Sequence, residues 1–319
     1  MNIRAKLFIF FIKDSVSLFP HNEFKYYFFG LRAGVSNLLG NGTRLGSKKT
    51  IGKITQPINA HSRFPEYYWF DTAIRNRLSS APAIRRPKIL DVGSPKLIGM
   101  HLAFDSEAEI ALTDISEINV DEYRTMWEVL RKKAKGKANF LLQDARALKF
   151  PDAEFDVVYS MSVIEHIEGE GGDSQAIREL LRVLKPGGLL VLSVPFGADY
   201  VEQKRVGFAS AARKTGDSET YFFQRIYDPT AFQKRILDYT VGLEQITLTT
   251  VSRRNQWLAR IFGSLGESAR GVLGFVNPLL SLAINRSSNG VDGSFKGKYE
   301  QFHSARDVYG DLILTALKK

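Results

Sequence analysis

Short apolar runs alternate with amphipathic segments through the middle of the chain. The runs lie at residues 88–92, 110–114, 140–145, 155–160 and 189–194, and a helical pattern covers residues 176–184. Strands that alternate with helices indicate βαβ units and a parallel sheet. Two further alternating runs, at residues 243–251 and 311–317, predict strands near the end of the chain, and residues 231–237 predict a helix. Residues 185–188 predict a turn, and residues 195–224 predict a polar, irregular segment. The pattern therefore predicts an α/β fold.

The first two apolar runs each end on a carboxylate. Asp91 lies near the end of the first run and Gly93 in the turn that follows, and Asp114 is the last residue of the second run. A carboxylate roughly twenty residues after a glycine-containing turn is the spacing that places an acid against a ribose in an open α/β sheet. Glycine lets the backbone approach a ligand closely because it has no Cβ. This spacing predicts a nucleotide site.

Two later segments carry the most specific pattern. Phe155-Asp-Val-Val-Tyr-Ser-Met-Ser-Val-Ile-Glu-His166 is followed by Leu181-Arg-Val-Leu-Lys-Pro-Gly-Gly188. With the Asp91-Val-Gly-Ser-Pro95 turn, these segments resemble the class I S-adenosylmethionine-dependent methyltransferases that act mostly on small molecules and lipids. The resemblance implies a Rossmann-like, seven-stranded, mostly parallel sheet with an antiparallel last strand and helices on both faces. The family usually has a second glycine where this chain has Pro95, which also lacks a backbone donor.

The resemblance also implies roles for individual residues. Asp91 and Gly93 are expected at the methionine and ribose part of S-adenosylmethionine, Asp114 at the ribose hydroxyls and Ile115 on the adenine. The adenine edge is expected to meet Asp144 and the N–H of Ala145. The residues expected around the methyl group are Ser160, Met161 and His166. His166 is the first candidate for a general base because an unperturbed imidazole titrates near neutrality, and weaker candidates are Glu165, Tyr227 and Asp228.

Structural roles remain open for several of these residues. Asp114 and Asp144 each precede a possible helix start, where a carboxylate caps free N–H groups. His166 has the alternative of a hydrogen-bonded loop histidine without a catalytic part. Tyr200 and Lys204 have the spacing of one group of nicotinamide-dependent oxidoreductases, a rival that the incomplete glycine-rich turn disfavours.

Charged residues are unevenly distributed along the chain. Residues 1–88 hold 15 Lys and Arg against 4 Asp and Glu, whereas the remainder holds 29 against 30. We predict a basic helical N-terminal extension over residues 1–80, with residues 61–80 as a helix that covers the cofactor. Basic segments attract anionic lipid or nucleic acid. The aliphatic as well as aromatic runs favour a membrane surface or protein packing, and nucleic acid is the less favoured partner. The apolar run at residues 7–12 is too short for a signal sequence.

A second unusual segment separates the last two predicted strands. Residues 81–319 are predicted to form the methyltransferase domain with an insertion at residues 253–303. Apolar residues recur at helical spacing over residues 257–265 and 272–284, so we predict a helical insertion. It has two interpretations, a hairpin lying on a membrane and a helical cap packed on the core or on a dimer face. Residues 287–298 are rich in Gly and Ser and predict a loop.

Together these features predict a methyltransferase that uses S-adenosylmethionine, with a small-molecule, glycan or lipid-linked acceptor and O-methylation favoured. The alternative is a non-catalytic scaffold of the same fold at a membrane or protein surface. The chain contains no cysteine and no His-rich cluster of metal-ligand spacing, so we expect no disulfide and no metal. A cytoplasmic protein is expected, with peripheral membrane attachment and homo-oligomerisation left open.

Overall fold

The computed structural model describes residues 24–40, 63–80, 86–206, 220–253, 285–291 and 310–319. Its helices are α1 (Phe24–Gly40), α2 (Arg63–Ser80), α3 (Leu97–Asp105), α4 (Glu117–Leu130), α5 (Gly172–Val183) and α6 (Pro229–Arg235). Its strands are β1 (Lys88–Val92), β2 (Glu109–Asp114), β3 (Lys137–Leu142), β4 (Phe155–Met161), β5 (Leu184–Phe196), β6 (Val201–Val206), β7 (Thr220–Ile226), β8 (Leu243–Arg253), β9 (Asn285–Val291) and β10 (Gly310–Lys318).

Eight strands form one sheet in the order β3-β2-β1-β4-β5-β10-β8-β9. Strands β1 to β5 pair in parallel, and β10 runs antiparallel to both β5 and β8. The first seven strands in this order confirm the predicted Rossmann-like sheet with its antiparallel last strand. The eighth strand, β9, adds antiparallel to the free edge of β8.

Side chains of alternate sheet residues enter two separate cores. Ile89, Val157 and Val191 face one core with α1 to α4, and Leu90, Val158 and Leu190 face the other with α5 and α6. This alternation follows from the two-residue period of a strand. The sheet is therefore covered by helices on both faces, as predicted.

Three predictions for the second half of the chain were wrong in part. The segment at residues 195–224, expected to be irregular, contains β6, which pairs antiparallel with β7 as a separate two-stranded sheet. The expected loop at residues 287–298 begins instead as part of β9, where pairing with β8 overrides a composition poor in strand-forming residues. The expected turn at residues 185–188 is a bulge within β5, because Phe155 pairs with Leu184 and Val157 with Leu189. The helical patterns at residues 257–284 lie outside the described residues.

Two of the described helices precede the sheet. α2 confirms the helix expected at residues 61–80, and Asp71 within it binds Lys25 of α1 and Arg75. Nη2 of Arg75 donates to both carboxylate oxygens of Asp105 in α3, each at 3.0 Å. None of the described helices has the length and apolar character needed to cross a bilayer.

His101 of α3 forms the centre of the contact with α1. Its ring lies 5.0 Å from the rings of both Tyr26 and Phe29. Burial lowers the pKa of His101 to about 4, although Asp105 and Asp71 act in the opposite direction. The imidazole is therefore neutral in the folded protein at pH 7.

We expect this histidine to make the protein less stable in mild acid. At this position the unfolded chain is half protonated at pH 6.5 and almost fully protonated at pH 5, whereas the folded chain stays largely neutral, which lowers the free energy of unfolding by about 1.5 kcal/mol. Urea denaturation at the two pH values measures the loss. His101→Gln is expected to show a smaller loss, and an equal loss in both proteins would contradict the assignment.

Candidate active site

A cavity of about 530 Å³ opens at the carboxyl ends of β1 to β4. This volume lies within the range of roughly 300–1,000 Å³ that is typical of small-molecule sites. Its wall is formed by residues 92–95 after β1, 113–115 at β2, 143–146 after β3 and parts of 162–168 after β4, with Asn119 and Tyr123 of α4 and Phe222 of β7. Ligands of open α/β sheets bind at this edge of the sheet.

Gly93 lies on this wall, as predicted, in a conformation that favours glycine. Its φ is +69°, and its N–H donates to the Thr113 carbonyl at 3.0 Å. A Cβ at this position would lie 2.6 Å from Cγ1 of Val163. The turn after β1 therefore packs directly against the segment after β4.

Asp91 does not lie on the cavity wall, contrary to the prediction. It is fully buried behind the turn, where Oδ1 accepts the Ser94 N–H and the Lys96 ammonium, both at 3.0 Å. Oδ2 accepts the Tyr159 hydroxyl at 2.7 Å. Burial raises the pKa of Asp91 to about 6, against the opposing effect of Lys96 and the hydrogen bonds. Asp91 therefore holds the turn in place.

Lys96 is the residue that the sequence analysis missed in this turn. Its side chain is 1% exposed, and its ammonium also donates to the Ser94 carbonyl at 2.5 Å. It lies 3.7 Å from Oδ2 of Asp114, so one cation lies between two carboxylates. A lysine is almost never fully buried without such a partner.

The backbone of the turn is occupied by internal hydrogen bonds. Gly93 donates to Thr113, Ser94 donates to Asp91, and Pro95 has no N–H. Residues 93–95 of the described turn therefore present no backbone donor to the cavity. An anionic group of a ligand must be bound by other residues.

Asp114 and Ile115 occupy their predicted places at the end of β2. Oδ1 of Asp114 accepts the Ser116 N–H at 2.9 Å, and Oδ2 lies 3.5 Å from the Asn119 amide nitrogen. The side chain is 13% exposed and lies on the wall, and Ile115 exposes an apolar surface beside it. A fixed carboxylate next to an apolar surface suits a ribose with its adenine.

Asp144 and Ala145 also lie on the wall, after β3. The Arg146 guanidinium donates to both oxygens of Asp144, with Nη2 to Oδ2 at 2.7 Å. These hydrogen bonds hold the pKa of the Asp144 carboxyl below its usual value. This carboxylate is already paired, so contact with an adenine amino group would compete with Arg146.

Ser160 and Met161 are buried below the wall, contrary to the prediction that they surround the methyl group. Ser160 Oγ donates to the Val92 carbonyl at 3.0 Å, and the Met161 N–H donates to Ser94 Oγ at 2.9 Å. Both residues tie β4 to the turn after β1. The next two residues, Ser162 and Val163, form the wall instead.

His166 lies on the wall in a short 3-10 helix, Ile164–His166. Its Nδ1 lies 2.5 Å from the Phe223 carbonyl oxygen, which can only accept, so we assign the proton to Nδ1. Nε2 then carries the lone pair and lies 3.7 Å from Oε1 of the buried Glu165. The geometry suits a general base whose cationic form is stabilised by a neighbouring carboxyl group.

Tyr227 and Asp228, the other predicted catalytic residues, are not on the wall. Tyr227 is fully buried, and its hydroxyl donates to Asp173 at 2.8 Å. Burial raises the pKa of this tyrosine well above its usual value. Asp228 caps α6 by accepting the Ala231 N–H at 2.7 Å. Both residues have structural roles in this geometry.

Known proteins resemble the part of the chain that carries this site. Residues 90–192 match the family described as a methyltransferase domain. A 2-methyl-6-phytyl-1,4-hydroquinone methyltransferase of Synechocystis is 46% identical over 56 residues, which are 18% of this chain and 17% of that protein. The ubiquinone/menaquinone biosynthesis C-methyltransferase UbiE of Shewanella sediminis is 34% identical over 123 residues, 37% of this chain and 46% of that protein. An O-methyltransferase of Aspergillus nomiae is 30% identical, over 38% of this chain and 50% of that protein.

The strand order, the cavity and these matches define the class. Together with the strand order of the described sheet, the matches over residues 90–192 support the predicted class I S-adenosylmethionine-dependent methyltransferase family. The chain spans half the length or less of these curated relatives.

Proposed function

We propose that the protein transfers a methyl group from S-adenosylmethionine to a small hydroxylated acceptor, with a phenol or hydroquinone ring as the favoured class. The observation that carries this proposal is His166 on the cavity wall, with Nδ1 2.5 Å from the Phe223 carbonyl oxygen. The names of three relatives, two acting in quinone pathways and one an O-methyltransferase, support the acceptor class.

The order of the strands supports a direction for the cofactor within the cavity. Residues after β3, β2, β1 and β4 follow one another along the sheet edge, because the strands are neighbours in that order. Adjacent strands lie about 4.8 Å apart. Ile115, Asp114 and Gly93 would therefore hold the adenine, ribose and adjoining part of the cofactor. His166 would lie beyond them, where the acceptor enters.

The chemistry of the acceptor end fits a ring with a hydroxyl group. Val163, Ile167 and Phe222 supply apolar walls, and His166 supplies the base. When bound, S-adenosylmethionine supplies a methyl group already activated by its sulfonium. Nε2 of His166 accepts the hydroxyl proton, and the Glu165 carboxyl group stabilises the resulting imidazolium. Deprotonation raises the nucleophilicity of the oxygen and of the adjacent ring carbons, so it serves O- and C-methylation alike.

A panel of acceptors tests the proposal. The full chain is incubated with S-adenosylmethionine and, separately, a short-chain hydroquinone, a catechol and a sugar alcohol. Formation of S-adenosylhomocysteine and product mass are both followed. We expect turnover with the ring hydroxyls, and much slower turnover in Asp114→Ala at the same S-adenosylmethionine concentration. A folded protein that binds the cofactor but methylates only the sugar alcohol would contradict the acceptor class.

The alternative is a scaffold of the same fold that does not bind the cofactor. The observation that favours it is the turn at residues 93–95. The Lys96 ammonium donates a hydrogen bond to the Asp91 carboxylate behind this turn, and no backbone N–H of residues 93–95 faces the cavity. Absence of cofactor binding by the folded protein would favour this alternative over the methyltransferase. The predicted membrane contact rests mainly on N-terminal residues outside the described ranges and stays a prediction.

A further inference from the structure

Glu66 of α2 is a buried carboxyl group at the carboxyl end of the central strands. It is 0% exposed, and its Oε1 accepts the Ser193 hydroxyl at 2.6 Å and the Ser162 hydroxyl at 3.2 Å. Ser193 belongs to β5, and Ser162 follows β4 on the cavity wall. A residue of the N-terminal extension therefore bonds to a residue of the cavity.

Ser162 has a backbone conformation that a non-glycine residue rarely adopts. Its φ is +50°, in the left-handed region that is unfavourable for residues with a Cβ. Such a conformation persists only when its surroundings hold it. Here the Ser162 N–H lies 3.1 Å from the Ser193 carbonyl and 3.2 Å from Ser193 Oγ, and the side chain is bound by Glu66.

The conformation of Ser162 sets the position of the next residue, Val163. The side chain of Val163 fills the space above Gly93, where a Cβ would lie 2.6 Å from Cγ1. A continuous series of contacts thus runs from Glu66 through Ser162 and Val163 to the turn after β1. α2 is held above this series by Phe70, whose ring meets that of Tyr159 edge to face at 6.1 Å.

We propose that Glu66 is a positioning residue for the cofactor site, which acts by holding Ser162 in its left-handed conformation. The proposal rests on the proposed function, since it concerns the same cavity. This role makes α2 part of the functional site, because a domain without this helix would lack the carboxyl group that fixes Ser162 and Val163. The role requires an acceptor for two hydroxyl groups and does not require a negative charge.

Amide exchange and S-adenosylhomocysteine calorimetry on the full chain test this role. Glu66→Ala is expected to speed exchange at residues 162–163 and 93–94 by about 10-fold and to weaken S-adenosylhomocysteine binding by about the same factor. Glu66→Gln keeps a carbonyl oxygen as acceptor and should stay within about 3-fold of the wild type. Glycine adopts positive φ freely, so Ser162→Gly should restore most of the loss when added to Glu66→Ala.

Asp71→Ala provides the matched control. It removes an acidic residue of the same helix that binds Lys25 and Arg75 rather than Ser162. If Glu66 only anchored α2, Asp71→Ala would produce the same exchange pattern, and Ser162→Gly would rescue neither variant. Either result would overturn the proposal. Since exchange needs no ligand, a wild type that binds no S-adenosylhomocysteine would refute the proposed function, while the exchange data would still decide the role of Glu66.

Discussion

Lys96→Met is expected to lower the free energy of unfolding by about 3–5 kcal/mol at pH 7, because it leaves the Asp91 carboxylate buried without its cation. The ammonium is 1% exposed and touches Asp91 Oδ1 and the Ser94 carbonyl. Urea denaturation of both proteins measures the difference. A loss below about 1 kcal/mol would show that Lys96 contributes no more than an exposed ion pair.

The pH dependence of this loss provides a second test. Removing the cation raises the pKa of Asp91 further above its value of about 6 in the folded protein. A carboxyl group with a raised folded pKa reduces stability as the pH rises through that pKa. Lys96→Met should therefore lose less stability at pH 5 than at pH 7. The double variant Asp91→Asn with Lys96→Met should recover much of the loss, since no buried charge remains.

His166→Gln is expected to lower kcat for a hydroquinone acceptor by about 10²–10⁴-fold, the usual contribution of a general base. Affinity for S-adenosylhomocysteine should change little, because His166 lies beyond the strand ends that are assigned to the cofactor. Stopped assays of S-adenosylhomocysteine formation give kcat, and calorimetry gives the affinity.

Tyr227→Phe and Asp228→Asn are the matched controls for His166. Tyr227 bonds to Asp173 and Asp228 caps α6, so their variants should lose stability and keep kcat within about 3-fold. If His166→Gln kept more than half of the wild-type kcat, His166 would not be the general base. A Tyr227 variant with a kcat as low as that of His166→Gln would return that residue to the list of candidates.

The predicted site residues that lie on the cavity wall share one physical reason for their position. Gly93, Asp114 and Ala145 come directly at or after the ends of parallel strands, and those ends meet at one edge of the sheet. Buried strands read as apolar runs, so their ends were recognisable. The family resemblance correctly implied a mostly parallel sheet with an antiparallel last strand, to which β9 adds an eighth strand.

The errors arose from side-chain direction and from contacts distant in sequence. Asp91 and Ser160 lie in strands whose side chains alternate between faces, and both point into the interior rather than the cavity. Lys96 was missed because a buried lysine is rare. Glu66 was missed because it contacts Ser193, 127 residues away along the chain. No local pattern reveals a contact of that separation.

The partner strands β6 and β7 show a different kind of failure. Thr220–Ile226 carries β-favouring Tyr221, Phe222 and Phe223, so a strand signal was present within the segment expected to be irregular. Recognising it would have placed a hairpin at the mouth of the cavity. Phe223 supplies the carbonyl that orients His166, so this strand takes part in forming the candidate base.

Calorimetric titration of the full chain with S-adenosylmethionine and S-adenosylhomocysteine tests the central claim most directly. The account predicts binding of both ligands, weakened by about 10–100-fold in Asp114→Ala, because a charged acceptor for the ribose hydroxyls is lost. Asp228→Ala, a carboxylate off the cavity wall, should bind as the wild type does. A folded wild type that binds neither ligand, or an Asp114→Ala variant that binds both unchanged, would contradict the assignment of this cavity as the cofactor site.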